Sequence, residues 1–300
     1  MIVRLAELTD LAAIAHIQRV VFPHTVRSRE AQRRAFETTP RRARQRFVVA
    51  EQDGQVVGFA QARLNYSTSE LGAAVMGVTV LPEHRRQGAG QALLADVEAH
   101  LREIGAKTVR LWCPDNDVSA SFATRHGYEA RRSMRFSMVD PRQLPSMPAA
   151  PENVKLVNLF EAGLDAAYEF DCVASLDEPG DSPMDNMPKD EWTALHWGDP
   201  DQQHELGIMA IVDGVAVAGT FVEADLATGR SWSGFTGVLR EHRGRGLAKL
   251  VKSVSLRRAA AAGITAAYTS NDAENAPMLA VNTWLGYQFT AAQRSHQKSF

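Results

Sequence analysis

One short stretch occurs twice in this 300-residue chain and limits the possible folds more than any other feature. The first copy reads VLPEHRRQGAG from Val80 to Gly90, and the second reads VLREHRGRGLA from Val238 to Ala248. Each copy follows an apolar, strand-like run and precedes an Ala- and Leu-rich helical pattern. The pattern predicts a strand, a tight basic turn and a helix N-terminus, built twice.

A turn of this kind is suited to binding an anion. The first N–H groups of a helix have no partner inside the helix, and the helix dipole places partial positive charge at that end. Small residues let a phosphate approach the backbone, and arginines add charge. One copy alone fits a helix start with solvated arginines equally well. Two copies in matching contexts favour a pyrophosphate site, although neither a Walker loop nor a G-x-G-x-x-G fingerprint is present.

Other landmarks recur at the same distance along the chain. Arg243 lies 158 positions after Arg85, and Gly286 lies 159 positions after Gly127. Such a period is far longer than the repeats of solenoid proteins. It indicates a duplicated domain.

A proline-rich segment separates the two copies. Residues 140–151 read DPRQLPSMPAAP, with four prolines in twelve residues, which is typical of a stiff linker. We therefore predict an N-terminal domain over residues 1–140, a linker over 141–151 and a C-terminal domain over 152–300. The alternating strand and helix patterns predict an α/β class with a mixed sheet in each half.

Composition excludes several classes of protein. A net charge of −2 and a pI near 6.5 argue against a dedicated nucleic-acid binder. Cys113 and Cys172 are the two cysteines, too few for a disulfide framework or a zinc site, and no metal is expected. Neither a signal peptide nor an apolar run of about 20 residues is visible. We expect a cytoplasmic monomer or homodimer with no membrane or nucleic-acid partner.

The repeated turns resemble the acetyl-CoA signature of the GNAT N-acetyltransferases, R-x-x-G-x-(G/A). Each half also closes with an N-x(10)-G-Y segment, from Asn116 to Tyr128 and from Asn275 to Tyr287, as the family does. The resemblance covers nearly the whole chain, and the tandem arrangement is similar to that of mycothiol-synthase-like members. It implies two acyl-CoA N-acyltransferase domains. It also implies acetyl-CoA as cofactor, and direct attack on the thioester by the amine of a small molecule.

The resemblance also implies a set of cofactor-binding residues in each half. The pantetheine arm is expected along the strand before the turn, and the pyrophosphate on the turn amides. In the first half these residues are Val78, Val80, Arg85, Arg86, Gln87, Gly88, Ala89, Gly90, Gln91 and Asn116. In the second half they are Gly237, Val238, Arg243, Gly244, Arg245, Gly246, Leu247, Ala248, Lys249 and Asn275.

Acetyl transfer needs a base for the ammonium proton, a donor for the oxyanion and an acid for the thiolate. The chain departs from the family pattern at two of these positions. Where many members carry a tyrosine that protonates the thiolate, it has Ala123 and Asn282. Where many carry a glutamate base, it has Ala74 and Trp232.

Three residues of the second half are therefore candidates for catalysis. Glu223 ends a strand that is expected to face the cleft and could serve as the base, although it also fits a solvated turn carboxylate. Asn282 could donate a hydrogen bond to the sulfur. Tyr287 is another possible donor, although a tyrosine after glycine at a strand start also fits a core position.

The second half is favoured as the active one, with the first half binding CoA or serving a structural role. Its turn carries the additional Gly244, and its acidic segment 176–191 could attract a cationic amine or could equally be a solvated loop. Two alternatives stay open. One is a catalytically silent CoA-binding or regulatory module. The other is a tandem aminoacyl transferase, for which a basic tRNA channel would be expected.

Overall fold

The computed structural model describes residues 1–178 and 185–300, which form two compact units. The first unit contains residues 1–25, 29–134 and 291–300. The second unit contains residues 26–28 and 135–290. Each unit is built from pieces that are separate in sequence, whereas the sequence predicts two continuous domains. The domain bounds at 140 and 152 stay a prediction.

Strands and helices follow one another in a similar order in both halves of the chain. Up to residue 139 they are β1 (Ile2–Leu5), α1 (Leu11–Val21), α2 (Arg29–Thr38), β2 (Arg46–Gln52), β3 (Gln55–Leu64), β4 (Ala73–Val80), α3 (Ala89–Glu103), β5 (Thr108–Pro114), α4 (Asp117–Arg125) and β6 (Glu129–Val139). From residue 155 they are β7 (Lys155–Asn158), α5 (Leu159–Ala162), α6 (Leu164–Ala174), α7 (Lys189–Trp192), β8 (Ile208–Val212), β9 (Val215–Asp225), β10 (Arg230–Val238), α8 (Leu247–Ala261), β11 (Ala266–Asp272), α9 (Ala276–Trp284) and β12 (Gln288–Ser299).

The strand before each turn leaves its parallel neighbour halfway along. Strand β4 pairs with β5 only from Ala73 to Met76, and β10 pairs with β11 only from Arg230 to Ser233. A bulge between Ser233 and Phe235 adds to the irregularity of β10. Beyond these points each pair of strands diverges, so that backbone groups of the later residues are not used by the parallel ladder.

The last strand in the sheet of each unit comes from the other half of the sequence. The order in the first unit is β1-β2-β3-β4-β5-β12, and residues 293–299 of β12 pair antiparallel with β5. The order in the second unit is β7-β8-β9-β10-β11-β6. There Val139 of β6 packs with Leu256 and Tyr287.

The helix after each turn forms the core of its unit. On α3, Leu93, Val97 and Leu101 are buried against strands β2, β3 and β4. On α8, Leu250 and Val251 pack on the apolar residues of β8 and β9. Because each helix is held along its length by this packing, its N-terminus is fixed next to the end of the preceding strand.

Within residues 1–178 and 185–300, no helix has both the length and the apolar character needed to cross a membrane. The same residues contain no cluster of His, Cys, Asp and Glu side chains arranged to hold a metal ion.

Candidate active site

The turn of the second unit is held by its arginine and its glycines. Arg243 donates from Nε to the carbonyl oxygen of Val238 at 3.0 Å, which ties the turn to the end of β10. Gly244 and Gly246 both have φ of 76°, in the left-handed region that glycine adopts without a Cβ penalty. Helix α8 begins at Leu247, so its first N–H groups have no partner inside the helix.

The first unit repeats this geometry with one difference. Arg85 donates from Nε to the carbonyl oxygen of Val80 at 3.1 Å, and Gly88 precedes α3 with φ of 91°. Arg86 has φ of 63° at the position that Gly244 occupies in the second unit. A non-glycine residue in this conformation costs about 1–2 kcal/mol. The backbone of the turn is therefore the same, but only the second unit adopts it with two glycines.

Each turn opens onto a cavity. The cavity of the second unit has a volume of about 570 Å³, and that of the first unit about 500 Å³. Of the predicted residues, the second cavity is lined by Gly237, Val238, Arg243, Gly244, Gly246, Leu247, Ala248, Lys249 and Asn275. The first is lined by Val78, Val80, Arg85, Arg86, Gly88, Gly90 and Gln91.

The remaining predicted residues lie outside these linings, namely Gln87, Ala89, Asn116 and Arg245. Asn116 instead caps α4 by accepting a hydrogen bond from the N–H of Ser119 at 3.0 Å. Asn275 caps α9 in the same way, accepting from Met278 at 3.2 Å, and still lines its cavity.

A profile of the acetyltransferase (GNAT) family matches residues 11–128, which include the first of these turns. This part of the chain is a domain of the GNAT acetyltransferase family. The protein is an acyltransferase, as the resemblance predicts.

Relatives and solved structures agree with this assignment over most of the chain. A mycothiol acetyltransferase of Catenulispora acidiphila is 28% identical over 258 residues, covering 83% of this chain and 79% of its own. A GCN5-related N-acetyltransferase of Sphaerobacter thermophilus has a TM-score of 0.75 and 22% identity, covering 99% of this chain and 95% of its own. A tandem GNAT protein from the clavulanic acid biosynthesis pathway has a TM-score of 0.75 and 20% identity, covering 99% and 98%. The predicted mixed α/β fold with tandem GNAT architecture is confirmed.

The two cavities differ in particular side chains that line them. The first has apolar residues such as Met76, Leu94 and Leu111, next to polar ones such as Thr79 and Cys113. The second has Ser233 and Lys252 among its lining residues, together with Thr236, Thr269 and Asn271. The turns are alike, whereas the second cavity has Lys252 where the first has Leu94.

Glu223, the predicted base, lies on β9 opposite Trp232 of β10. It is not among the residues that line the cavity, but its Oε1 atom lies 3.9 Å from the position that a Cβ on Gly234 would occupy, and Gly234 does line it. Arg27 donates to Oε2 of Glu223 at 3.4 Å and to Asp199 at 3.1 Å.

The surroundings of Glu223 favour its neutral form. Burial raises the pKa of the Glu223 carboxyl above its usual range, and the charges of Asp199 and Asp201 raise it further, against the opposing effect of Arg27. A carboxyl with a raised pKa accepts protons more readily than an ordinary glutamate, which suits a general base.

Asn282 and Tyr287, the other two candidates, lie behind the wall of the cavity. Asn282 is buried and donates from Nδ2 to Oδ1 of Asn271, a lining residue, while its own Oδ1 has no hydrogen-bond partner within residues 1–178 and 185–300. Tyr287 is buried next to a small adjoining pocket that Lys252 and Ser233 also line. In the same part of the chain its hydroxyl has no hydrogen-bond partner, and burial raises the pKa of Tyr287.

Asp177, in the predicted acidic segment 176–191, contacts the turn directly. The carboxylate of Asp177 forms ion pairs with Arg240 and Arg243, and these guanidinium groups hold the pKa of Asp177 well below its usual range. Glu178 lines the cavity. Asp181 lies outside the described residues. Asp177 is therefore paired with two arginines at the turn, one of which is the predicted cofactor-binding Arg243.

Sequence reasoning missed Lys252. Its side chain is 2% exposed, and it donates from Nζ to Oγ of Ser233 at 3.2 Å. Burial lowers the pKa of Lys252 to about 7, because an apolar environment disfavours the ammonium ion. The sequence repeat could have indicated that Lys252 is buried. Lys252 lies 158 positions after Leu94, which is buried at the equivalent place on α3.

Proposed function

We propose that this protein is an acetyl-CoA-dependent N-acetyltransferase that acetylates the amine of a small molecule, with its productive site in the second unit. The observation that carries the proposal is the cavity of about 570 Å³. It joins a two-glycine turn and a helix N-terminus to polar side chains that include Ser233 and Lys252. Family membership and the mycothiol acetyltransferase relatives support a small amine as acceptor.

Each part of the cavity has a task in this proposal. The turn and the first N–H groups of α8 would hold the pyrophosphate. The backbone of Gly237 and Val238, where β10 has left β11, would bind the pantetheine arm. Bound acetyl-CoA supplies the acetyl thioester. Glu223, next to Gly234, would accept the proton of the attacking ammonium group.

The first unit is proposed to bind CoA or to serve a structural role, without turnover. It has the turn and a cavity of about 500 Å³, but it has Leu94 where the second unit has Lys252 and Ala123 where the second unit has Asn282. Action in the cytoplasm as a monomer or homodimer also stays a proposal.

The experiment is a calorimetric titration with acetyl-CoA of the wild type, of Gly88→Asp and of Gly246→Asp. A carboxylate at either glycine would repel the pyrophosphate and strain the turn. We expect Gly246→Asp to remove the binding event linked to turnover. Turnover is followed as thiol release with a panel of small primary amines. Absence of any binding by the wild type would reject the proposal, and binding without turnover would favour the catalytically silent module.

A further inference from the structure

Lys252 is a buried cation inside the proposed CoA cavity. It lies in the second turn of α8 and lines both the main cavity and the small pocket beside Tyr287. Its contacts are the hydrogen bond to Ser233 and the ring of Tyr287, whose centroid is 5.2 Å from Nζ. Among the residues that the structure describes, no carboxylate forms an ion pair with it. A buried ammonium with so little compensation is costly and needs an explanation.

Packing does not explain this lysine. Its counterpart Leu94 is buried at the equivalent place on α3, so the fold accepts an apolar side chain there. Ser255, one turn further along α8, likewise stands where α3 has Val97. Apolar residues at both places would bury more hydrophobic area, which stabilises a fold by about 25 cal/mol per Å². The lysine is therefore better explained by a ligand than by the fold.

The position of Nζ indicates which part of CoA it would meet. Ser233, its hydrogen-bond partner, is the last residue of β10 that pairs with β11 and is next to the bulge. The turn lies at the opposite end of the cavity, beyond Val238. A CoA molecule with its pyrophosphate on the turn and its pantetheine arm along Gly237 would therefore bring its thioester towards Ser233.

We propose that Lys252 contacts the sulfur of bound CoA and donates its Nζ proton to the thiolate that leaves during acetyl transfer. This inference rests on the proposed function. The acceptor amine, after giving one proton to Glu223, bonds through its nitrogen to the thioester carbonyl carbon; the C–S bond breaks, the sulfur keeps the electron pair, and the nitrogen releases its second proton to water. The sulfur takes a proton from the ammonium of Lys252, and water returns a proton to the neutral side chain of Lys252.

Two features make Lys252 suited to this step. The tyrosine that many GNAT members use as thiolate donor is Asn282 here, and an amide cannot release a proton. The lowered pKa of Lys252, about 7, lies below the value of about 8.5 that is ordinary for a thiol. Proton transfer from nitrogen to sulfur is therefore favourable.

The first test measures the titration of Lys252 without turnover. Lysine is labelled with ¹³C at Cε, and the Lys252 signal is assigned by its absence in Lys252→Leu. Its titration curve is compared in the free protein, with CoA and with desulfo-CoA, which lacks only the sulfur. We expect only the CoA complex to show a second step in the Lys252 signal above pH 7, because the neighbouring thiol ionises there and a nearby charge changes the environment of Nζ.

Identical Lys252 titration curves with CoA and with desulfo-CoA would overturn the inference, because Nζ would then not contact the sulfur. Failure of CoA to bind at all would instead reject the proposed function. The two failures are thus distinguishable. Because Leu94 occupies the equivalent place in the first unit, we expect Lys252→Leu to fold and to bind acetyl-CoA.

The second test uses Lys252→Leu and Lys252→Arg with an amine that the wild type acetylates. We expect kcat to fall about 100-fold in both, because arginine keeps the charge but does not release a proton at neutral pH. The KM for acetyl-CoA should change little. The wild-type kcat should decline above pH 7, and this decline should be absent in both variants. Retention of wild-type kcat by either variant would refute proton donation by Lys252. Lys155→Leu, which removes an exposed lysine of β7, is the matched control.

Discussion

Replacement of Lys252 by leucine should stabilise the second unit, by an amount that depends on pH. The pKa of Lys252 falls from an ordinary 10.5 to about 7 on burial. At about 1.4 kcal/mol per pH unit, this difference corresponds to a folding cost of about 5 kcal/mol. Local relaxation reduces such costs, and replacement of buried charges by apolar residues has stabilised proteins by about 1–4 kcal/mol. We therefore expect a gain of about 1–4 kcal/mol at pH 6.

The sign of the pH dependence follows from proton linkage. Below pH 7 the amine is charged in both states, so the full cost of burying it is present. Between pH 7 and 10.5 the folded protein has lost the proton while the unfolded chain retains it. The wild type is therefore stabilised as the pH rises, by up to about 1.4 kcal/mol per unit. The advantage of Lys252→Leu should shrink over this range and be lost above pH 10.5.

Urea unfolding followed by tryptophan fluorescence measures this effect. Four of the five tryptophans, at positions 192, 197, 232 and 284, belong to the second unit, so the signal reports mainly on it. Curves are compared from pH 6 to 9.5. The control Lys155→Leu should stay within about 0.5 kcal/mol of the wild type at every pH. A gain for Lys252→Leu that is equal at pH 6 and pH 9.5 would refute the argument, because the lysine would then titrate normally in the folded protein.

Three further predictions concern the turn and the base. Asp177→Asn should release Arg240 and Arg243 and strengthen acetyl-CoA binding in calorimetry, and weaker binding would show that the pairs organise the site. Gly244→Ala should destabilise the second unit by about 1 kcal/mol in urea unfolding, because its φ is 76°, whereas no loss would mean that the turn relaxes. Glu223→Gln should lower kcat and remove the decline in rate at acidic pH, since the pKa of Glu223 is raised and only its ionised form accepts a proton. An unchanged pH–rate profile would exclude Glu223 as the base.

The turns could be predicted from sequence because their signals are local. A glycine with positive φ, an arginine five residues after the strand end and a helix start all lie within a dozen residues. That β12 joins the sheet of the first unit and β6 that of the second could not be predicted in this way. The alternation in β6 and β12 indicates strands but carries no information on which sheet each one joins. That choice depends on pairing between residues far apart, such as Gln297 with Arg110.

Lys252 was missed for a different physical reason. A lysine at helical spacing is usually exposed, and α8 as a whole carries other basic residues, so the pattern alone does not indicate burial. Only superposition of the two repeats reveals that it stands at a core position, where α3 has Leu94. In a duplicated chain, each repeat can therefore be compared with the other. Where one repeat has a buried polar residue and the other has an apolar residue at the equivalent position, the fold does not require the polar residue, and a functional role is indicated.

The tyrosines that close the two repeats extend this argument. In the first unit the hydroxyl of Tyr128 donates to Glu98 at 2.8 Å, and Lys298 donates to the same carboxylate at 2.8 Å. In the second unit Leu256 stands in place of Glu98, and the hydroxyl of Tyr287 has no hydrogen-bond partner among the described residues. Buried polar groups are normally satisfied, and exceptions concentrate at functional sites. The first unit therefore uses its tyrosine to complete a core. In the second unit, residues 1–178 and 185–300 provide neither a partner for the tyrosine hydroxyl nor a carboxylate for Lys252, and both side chains lie beside the cavity in which the acetyl thioester is proposed to lie.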